Sequence, residues 1–157
     1  MKPIKQRIVS GEFNRNPTYA LNINQYTQWL GYAFERFCRK YYYVIAKILG
    51  FSDVAFKAGS YFSRQTNTTD PGYQIDLIFE RQDKVYTLCE IKYKNSPLSN
   101  AVIEEFERKV EKFRGKPQYT LQRVLISNSE LSEASQVRRY FDRVITLNHL
   151  FDERYWE

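Results

Sequence analysis

Gln74-Ile-Asp-Leu-Ile-Phe79, a polar break from Glu80 to Lys84, and Val85-Tyr-Thr-Leu-Cys-Glu-Ile-Lys-Tyr93 form the stretch on which the reading of this chain turns. Both halves alternate apolar and polar residues, the period of a strand, and the break between them is short enough for a tight hairpin loop. On the first strand Gln74, Asp76 and Ile78 are expected on one face and Ile75, Leu77 and Phe79 on the other. On the second, Glu90 and Lys92 share a face with Leu88, with Cys89 and Ile91 on the reverse. Two carboxylates and a lysine on an otherwise apolar hairpin conflict with core building, and such conflicts mark sites.

The hairpin makes a geometric demand. A three-residue loop, Gln82 to Lys84, pairs Arg81 with Val85 and sets Asp76 directly opposite Glu90. Facing carboxylates have Cβ atoms about 5 Å apart and destabilise the pair unless a cation lies between them. Hard oxygen donors with no sulfur or imidazole nearby point to Mg²⁺ or Mn²⁺ rather than zinc. The plainer alternative is that Lys92 pairs with Glu90 or Asp76 across the hairpin as a structural ion pair.

Outward from the hairpin, the apolar residues of Gln25 to Leu49 recur at helical spacing, from Trp29 and Leu30 through Phe34 and Phe37 to Ile48, with Gly50 as a natural stop. Asn22 or Asn24 is the expected cap. Glu35 lies off the centre of that stripe, one turn after Gly31, where a missing side chain lets another backbone or a ligand approach. By itself Glu35 also reads as a surface partner for Arg39 at i+4. Phe51 to Phe62 carries a first strand, and Ser63 to Gly72 a polar loop beside the hairpin. Lys94 to Pro97 breaks the second hairpin strand. Then come an amphipathic helix over Leu98 to Phe113, a strand over Thr120 to Ser127, a short helix over Ser132 to Phe141 capped by Ser132, and a last strand over Arg143 to Leu147. That order is an α/β protein with a mixed central sheet.

The segments Trp-Leu-Gly-Tyr-Ala-Phe-Glu at 29–35, Gly-Tyr-Gln-Ile-Asp-Leu-Ile at 72–78 and Leu-Cys-Glu-Ile-Lys-Tyr at 88–93 resemble the PD-(D/E)XK nuclease superfamily over roughly Tyr26 to Phe151. The signature of that superfamily, an Asp followed by Glu-x-Lys on the next strand, is matched by Asp76 and Glu90-Ile-Lys92, with Glu35 as the acidic residue of the preceding helix. Within the superfamily the chain looks most like the nuclease-like C-terminal domain of certain archaeal and bacterial AAA-type ATPases. No Gly-x-x-x-x-Gly-Lys-Ser/Thr phosphate loop occurs in the sequence.

The resemblance implies a restriction-endonuclease-like fold, a mixed sheet of about four to five strands flanked by helices, over 25–157, after a basic arm over 1–24. It also implies a Mg²⁺- or Mn²⁺-dependent endonuclease acting on DNA. Asp76 and Glu90 would hold the ion, the carbonyl of Ile91 would add an oxygen, and Glu35 would assist through water or a second metal. The ion would polarise the scissile phosphate and acidify a water. Lys92 would orient that water or stabilise developing charge. Gln74 and Lys94 are candidates for substrate contact. Two further readings remain open: a non-catalytic nucleic-acid or partner-binding module that keeps the fold, and a structure-selective nuclease of the Holliday-junction-resolvase type working as a homodimer.

Composition bounds the rest. At 157 residues the chain is one domain by size. The 13 Tyr and 11 Phe argue for a packed body. Cys38 and Cys89 fall at apolar positions, as buried reduced thiols do. With no apolar start resembling a signal peptide and no membrane-length run, a cytoplasmic protein is expected. The net charge of +6 lies wholly in Met1 to Gly50, where eight Lys or Arg face only Glu12 and Glu35. The remaining sixteen basic residues are matched by sixteen acidic ones. A basic first third suits DNA, with RNA left open, and equally suits a solvated tail; an ATPase domain or subunit is the other partner the resemblance implies.

Overall fold

A computed structural model describes residues 22–64, 69, 71–133 and 135–157. The expected arm thus lies mostly outside the described residues, as does half of the polar loop. Helices α1 (Ile23–Lys40) and α2 (Tyr42–Leu49) lead into strands β1 (Phe56–Ser63), β2 (Tyr73–Arg81) and β3 (Val85–Lys92). Helix α3 (Ala101–Lys112), strand β4 (Thr120–Ser127), helix α4 (Gln136–Tyr140), strand β5 (Arg143–Thr146), helix α5 (Leu147–Phe151) and a 3₁₀ turn, Glu153–Tyr155, follow. The five strands form one sheet in chain order, antiparallel from β1 to β3 and parallel from β3 to β5. The chain is therefore an α/β protein with a mixed five-stranded sheet.

The hairpin register is the one its loop length demands. Leu77 pairs with Cys89 and Glu80 with Tyr86, which leaves Gln82 to Lys84 as the loop. Lys84 takes the left-handed conformation, φ 64°, that closes a three-residue hairpin loop. Strands β3 and β4 are covered on both faces, which is why Val124, Leu125 and Ile126 run as an unbroken apolar string. One core, under α1 and α2, holds Phe34, Ile45, Leu77, Phe79, Cys89, Ile91 and Ile126. The opposite core, under α3 and α4, holds Ile75, Leu88, Val102, Phe106, Leu125 and Phe141.

Three expectations are corrected. The long helix breaks at Tyr41, φ −103°, ψ 32°, and the run Tyr41 to Tyr43 stays exposed at the break. The second piece, α2, is apolar on most of its circumference and buries Ile45, Ala46, Ile48 and Leu49 before stopping at left-handed Gly50, φ 79°. Of the two caps expected for α1, Asn22 is the one in place, its Oδ1 accepting from the N–H of Asn24 and Gln25. Helix α4 starts at Gln136, and its capping position is Ser135 rather than Ser132.

The third correction concerns the hairpin itself. The β1–β2 register slips by one residue between the pairs Gly59–Ile78 and Tyr61–Ile75. Asp76 and Leu77 therefore occupy the place of one residue, opposite Ser60, as a β-bulge. Ile75 joins Ile78 in the core under α3, whereas Leu77 packs under α1. The expected alternation fails at this point, because the extra residue turns Asp76 to the α1 side.

Phe79 is fully buried and meets Phe51 and Phe56 edge to face at ring-centroid distances of 5.1 and 5.4 Å. Phe79→Ala is expected to cost about 3–5 kcal/mol of stability, read as a lower urea midpoint with an unchanged slope. A loss under 1 kcal/mol would mean the cluster is not the keystone of the α1-side core.

Candidate active site at the open end of the hairpin

The β2–β3 ladder makes its last pair at Leu77 and Cys89. One residue further on, Asp76 Oδ2 accepts the N–H of Ile91 at 2.9 Å, so a side chain takes the place of a backbone partner where the strands part. Asp76 is 7% exposed and Glu90 is fully buried. Carboxylates are almost never buried to this extent without partners.

Glu90 points to the α3 side, and its partners come from there. Both its oxygens accept from Lys109 Nζ on α3, at 2.9 and 2.6 Å, and Oε1 lies 3.0 Å from Lys92 Nζ. Lys92 Nζ also donates to Glu105 on α3 at 3.0 Å. The cluster is thus Glu105, Lys92, Glu90 and Lys109 in series. Burial acts to lower the pKa of Lys92, but Glu90 and Glu105 outweigh it and hold the group above its ordinary 10.5. Glu105 in turn is held below its usual range, first by the hydrogen bond from Lys92. A lysine kept protonated this way orients and stabilises anions; it does not take up protons.

Asp76 has a different environment. Burial first, and then the neighbouring Glu90, push its carboxyl up from 3.8 to about 6, and the bond from Ile91 opposes them. Glu35 adds to the upward push and Lys109 to the downward one. The charge of Glu90 and, more weakly, that of Glu35 thus reach Asp76. The three carboxylates do not close into a cluster: among the described residues no three acidic, histidine or cysteine groups are arranged to hold a metal ion. The reason is the bulge, which turns Asp76 toward α1 while Glu90 stays with α3.

Glu35 sits in the middle of α1 and accepts from Arg39 at 3.5 Å, so the plain i,i+4 pairing is present. It also forms the inner wall of an open groove of about 670 Å³ between the first turns of α1 and Tyr93 to Ser96. Gly31 lines the same groove, and a methyl there would meet nothing within 4 Å. No backbone makes the close approach expected at Gly31; the free space belongs to the groove. Lys94 lines it too, and its backbone is fixed by Asn128, which accepts from its N–H at 2.9 Å and donates to its carbonyl at 3.0 Å. Gln74 Nε2 lies 3.5 Å from Asp76 Oδ1, a contact at the limit of a hydrogen bond. Ile91 is buried beside Asp76.

Donor type and charge suit a hard divalent cation at Asp76, since burial first and then like charge raise its carboxyl, and among the described residues its Oδ1 has only the long Gln74 contact. Glu90 could join only by releasing Lys109. Lys109 and Glu105 escaped the sequence reading. One signal existed: Lys109 falls at i+7 from Val102 and i+3 from Phe106, on the inward stripe of α3 where a lysine has no packing reason to be. Gly59, one residue from the slip, is the corresponding signal for the bulge.

The thiols are unreactive by environment. Burial, followed by the Asp76 charge, pushes Cys38 up to about 12, and burial raises fully enclosed Cys89 well above 9.0. His149 is spent on the turn into α5, where its Nδ1 accepts from the N–H of Thr146 at 2.9 Å. Among the described residues no helix is long and apolar enough to cross a membrane. Neither a scan of protein-family models nor a search of curated proteins returns a match to this chain.

Two predictions follow from these charges. The folded chain keeps the Asp76 proton up to about pH 6 while the unfolded chain releases it near 3.8. The folded state therefore binds more protons across that window and loses stability as pH rises through it. Asp76→Asn keeps an acceptor for Ile91 and is expected to be more stable than wild type above pH 6, by on the order of 2–3 kcal/mol. The gain should vanish below 3.8, as read by urea midpoints against pH; a gain independent of pH would refute the buried charge. Lys109→Met leaves Glu90 with Lys92 alone and is expected to cost about 1.5–3 kcal/mol in EDTA. Mg²⁺ should restore more melting temperature to this variant than it adds to wild type, and equal responses would count against a cation taking the place of Lys109.

Proposed function

We propose that this chain is a divalent-metal-dependent nuclease domain that hydrolyses phosphodiester bonds in DNA. The observation that carries the reading is the burial of Asp76 and Glu90, with Lys92 between Glu90 and Glu105, at the parted end of the β2–β3 hairpin. Two buried carboxylates on adjacent strands beside a lysine, next to the groove that Glu35 and Lys94 line, are the kind of arrangement that a hydrolytic site needs. The resemblance to the PD-(D/E)XK superfamily, and to its restriction-endonuclease-like fold, supports the same conclusion.

Asp76, the Ile91 backbone and Glu35 would hold Mg²⁺ or Mn²⁺, with Glu90 joining on release from Lys109. The ion, when bound, supplies Lewis-acid polarisation of the phosphate and acidifies a water. The chain's own residues do the remainder. Lys92, held protonated by its two carboxylates, faces charge developing on the phosphoryl oxygens. Lys94, in the groove that Glu35 walls, attracts the phosphate backbone on either side of the scissile bond. The two free, buried cysteines support a cytoplasmic setting. An ATPase domain or subunit as a partner, and a homodimeric working form, belong to the same proposal.

A second reading has its own observation. Glu90 is saturated by Lys109 and Lys92, and a closed ion-pair network of this kind suits a binding module that keeps the fold without turnover. The experiment is Mn²⁺ and Mg²⁺ calorimetry beside cleavage of plasmid and branched DNA by the full chain. Wild type is expected to bind the ion and cut. Asp76→Ala and Lys92→Ala should each lose about 100-fold or more in rate, with DNA affinity of the lysine variant held within about twofold. Ion binding without cleavage would favour the binding module, and no ion binding even with DNA present would end the nuclease reading.

A further inference from the structure

The outward face of α1 carries aromatic and basic side chains in one stripe. Trp29, Tyr32 and Arg36 follow one another at spacings of three and four, and Lys40 continues the line one turn on. Trp29 is 50% and Tyr32 57% exposed, far more than large aromatics in a finished fold require. Tyr26 already stacks on Trp29, with ring centroids 6.2 Å apart and planes within 21°. Trp29, Tyr32, Arg36 and Lys40 border a shallow groove of about 570 Å³. Tyr32 also lines the groove that Glu35 and Lys94 share, so the two depressions meet at its ring.

Charge decides what fits. Glu35 is the sole carboxylate on α1 and α2, and it pairs with Arg39, leaving Arg36 and Lys40 with no acidic neighbour on their own helix. Flat rings spaced along a basic track are the chemistry of base stacking beside phosphate contacts. Bases must be unpaired to stack, which selects a single strand over a duplex. A membrane surface fits less well, because the charges lie among the aromatics instead of on a separate polar face.

We infer that the α1 face is a docking track for single-stranded DNA, running over Trp29 and Tyr32 into the groove beside Glu35. This inference rests on the nuclease reading for its direction and names the substrate class: DNA with an unpaired segment reaching the site. Bases stack on Trp29 and Tyr32, and phosphates meet Arg36 and Lys40.

The test is fluorescence anisotropy of the full chain with labelled dT20, a 20-base-pair duplex and rU20, in EDTA so that no chemistry intervenes. Wild type should prefer dT20, and binding should quench Trp29 emission in a Trp156→Phe background. Trp29→Ala and Tyr32→Ala, both at exposed positions that tolerate truncation, should each weaken dT20 binding about tenfold or more. Arg36→Ala with Lys40→Ala should flatten the log–log salt dependence by about 1.4. Equal dT20 affinity in the aromatic variants, or preference for the duplex or rU20, would overturn the inference. So would light scattering that shows a dimer dissociated by Trp29→Ala, since the face would then be an interface between copies. Track-dependent dT20 binding without any Mg²⁺-dependent cleavage would sink the nuclease reading alone, and cleavage untouched by these variants would sink the track alone.

Discussion

The constraint on which the rest depends is a carboxylate with no access to water. Glu90 stands on the central strand of the sheet, and its charge is tolerable there only because Lys109 and Lys92 both reach it. Lys109 must therefore come down from α3, and α3 must lie at the height on the sheet where Val102 and Phe106 fill the core and Lys109 meets Glu90. The same requirement gives Glu105 its place over Lys92. One buried charge thus ties the parallel half of the sheet, its crossover helix and the end of the hairpin into a single electrostatic unit.

The second constraint is the bulge at Asp76. It places Asp76 beside Leu77 opposite Ser60, where its carboxylate fills the gap between parting strands by accepting from Ile91, and burial first and then the Glu90 charge raise its pKa. Two acids side by side in the chain's topology consequently have separate chemistry: Glu90 is held as an ion pair, while Asp76 carries charge that nothing nearby fully offsets. That asymmetry suits a site waiting for a cation, and it comes from one extra residue in β2.

The helices α1 and α2 link this site to the surface. The inner stripe of α1 holds Phe34 and Cys38 against the sheet, its flank brings Glu35 to the groove, and its outer stripe presents Trp29, Tyr32 and Arg36. One helix thereby serves core, site and surface, which accounts for aromatic residues on every side of it. Phe34 meets Tyr93 edge to face at 5.8 Å, so the position of α1 is also coupled to the segment that follows Lys92.

The sequence by itself determined the order of the strands and the hairpin, though not the break at Tyr41 or the last short helix. Period-2 alternation, a three-residue loop and the apolar string of β4 are local properties, and they suffice for the strands, the β2–β3 register and the mixed α/β order. It also picked out Asp76, Glu90 and Lys92, since charges inside an apolar alternation stand out locally. Only the tertiary structure decided which faces those charges occupy and what meets them. The bulge arises from pairing with β1, so the β2 segment alone reads as regular; Lys109 reaches Glu90 across 19 positions of sequence, a distance no periodicity encodes. Burial is likewise a sum over neighbours from both layers, which is why the acids could be named from the chain but their energetic state could not.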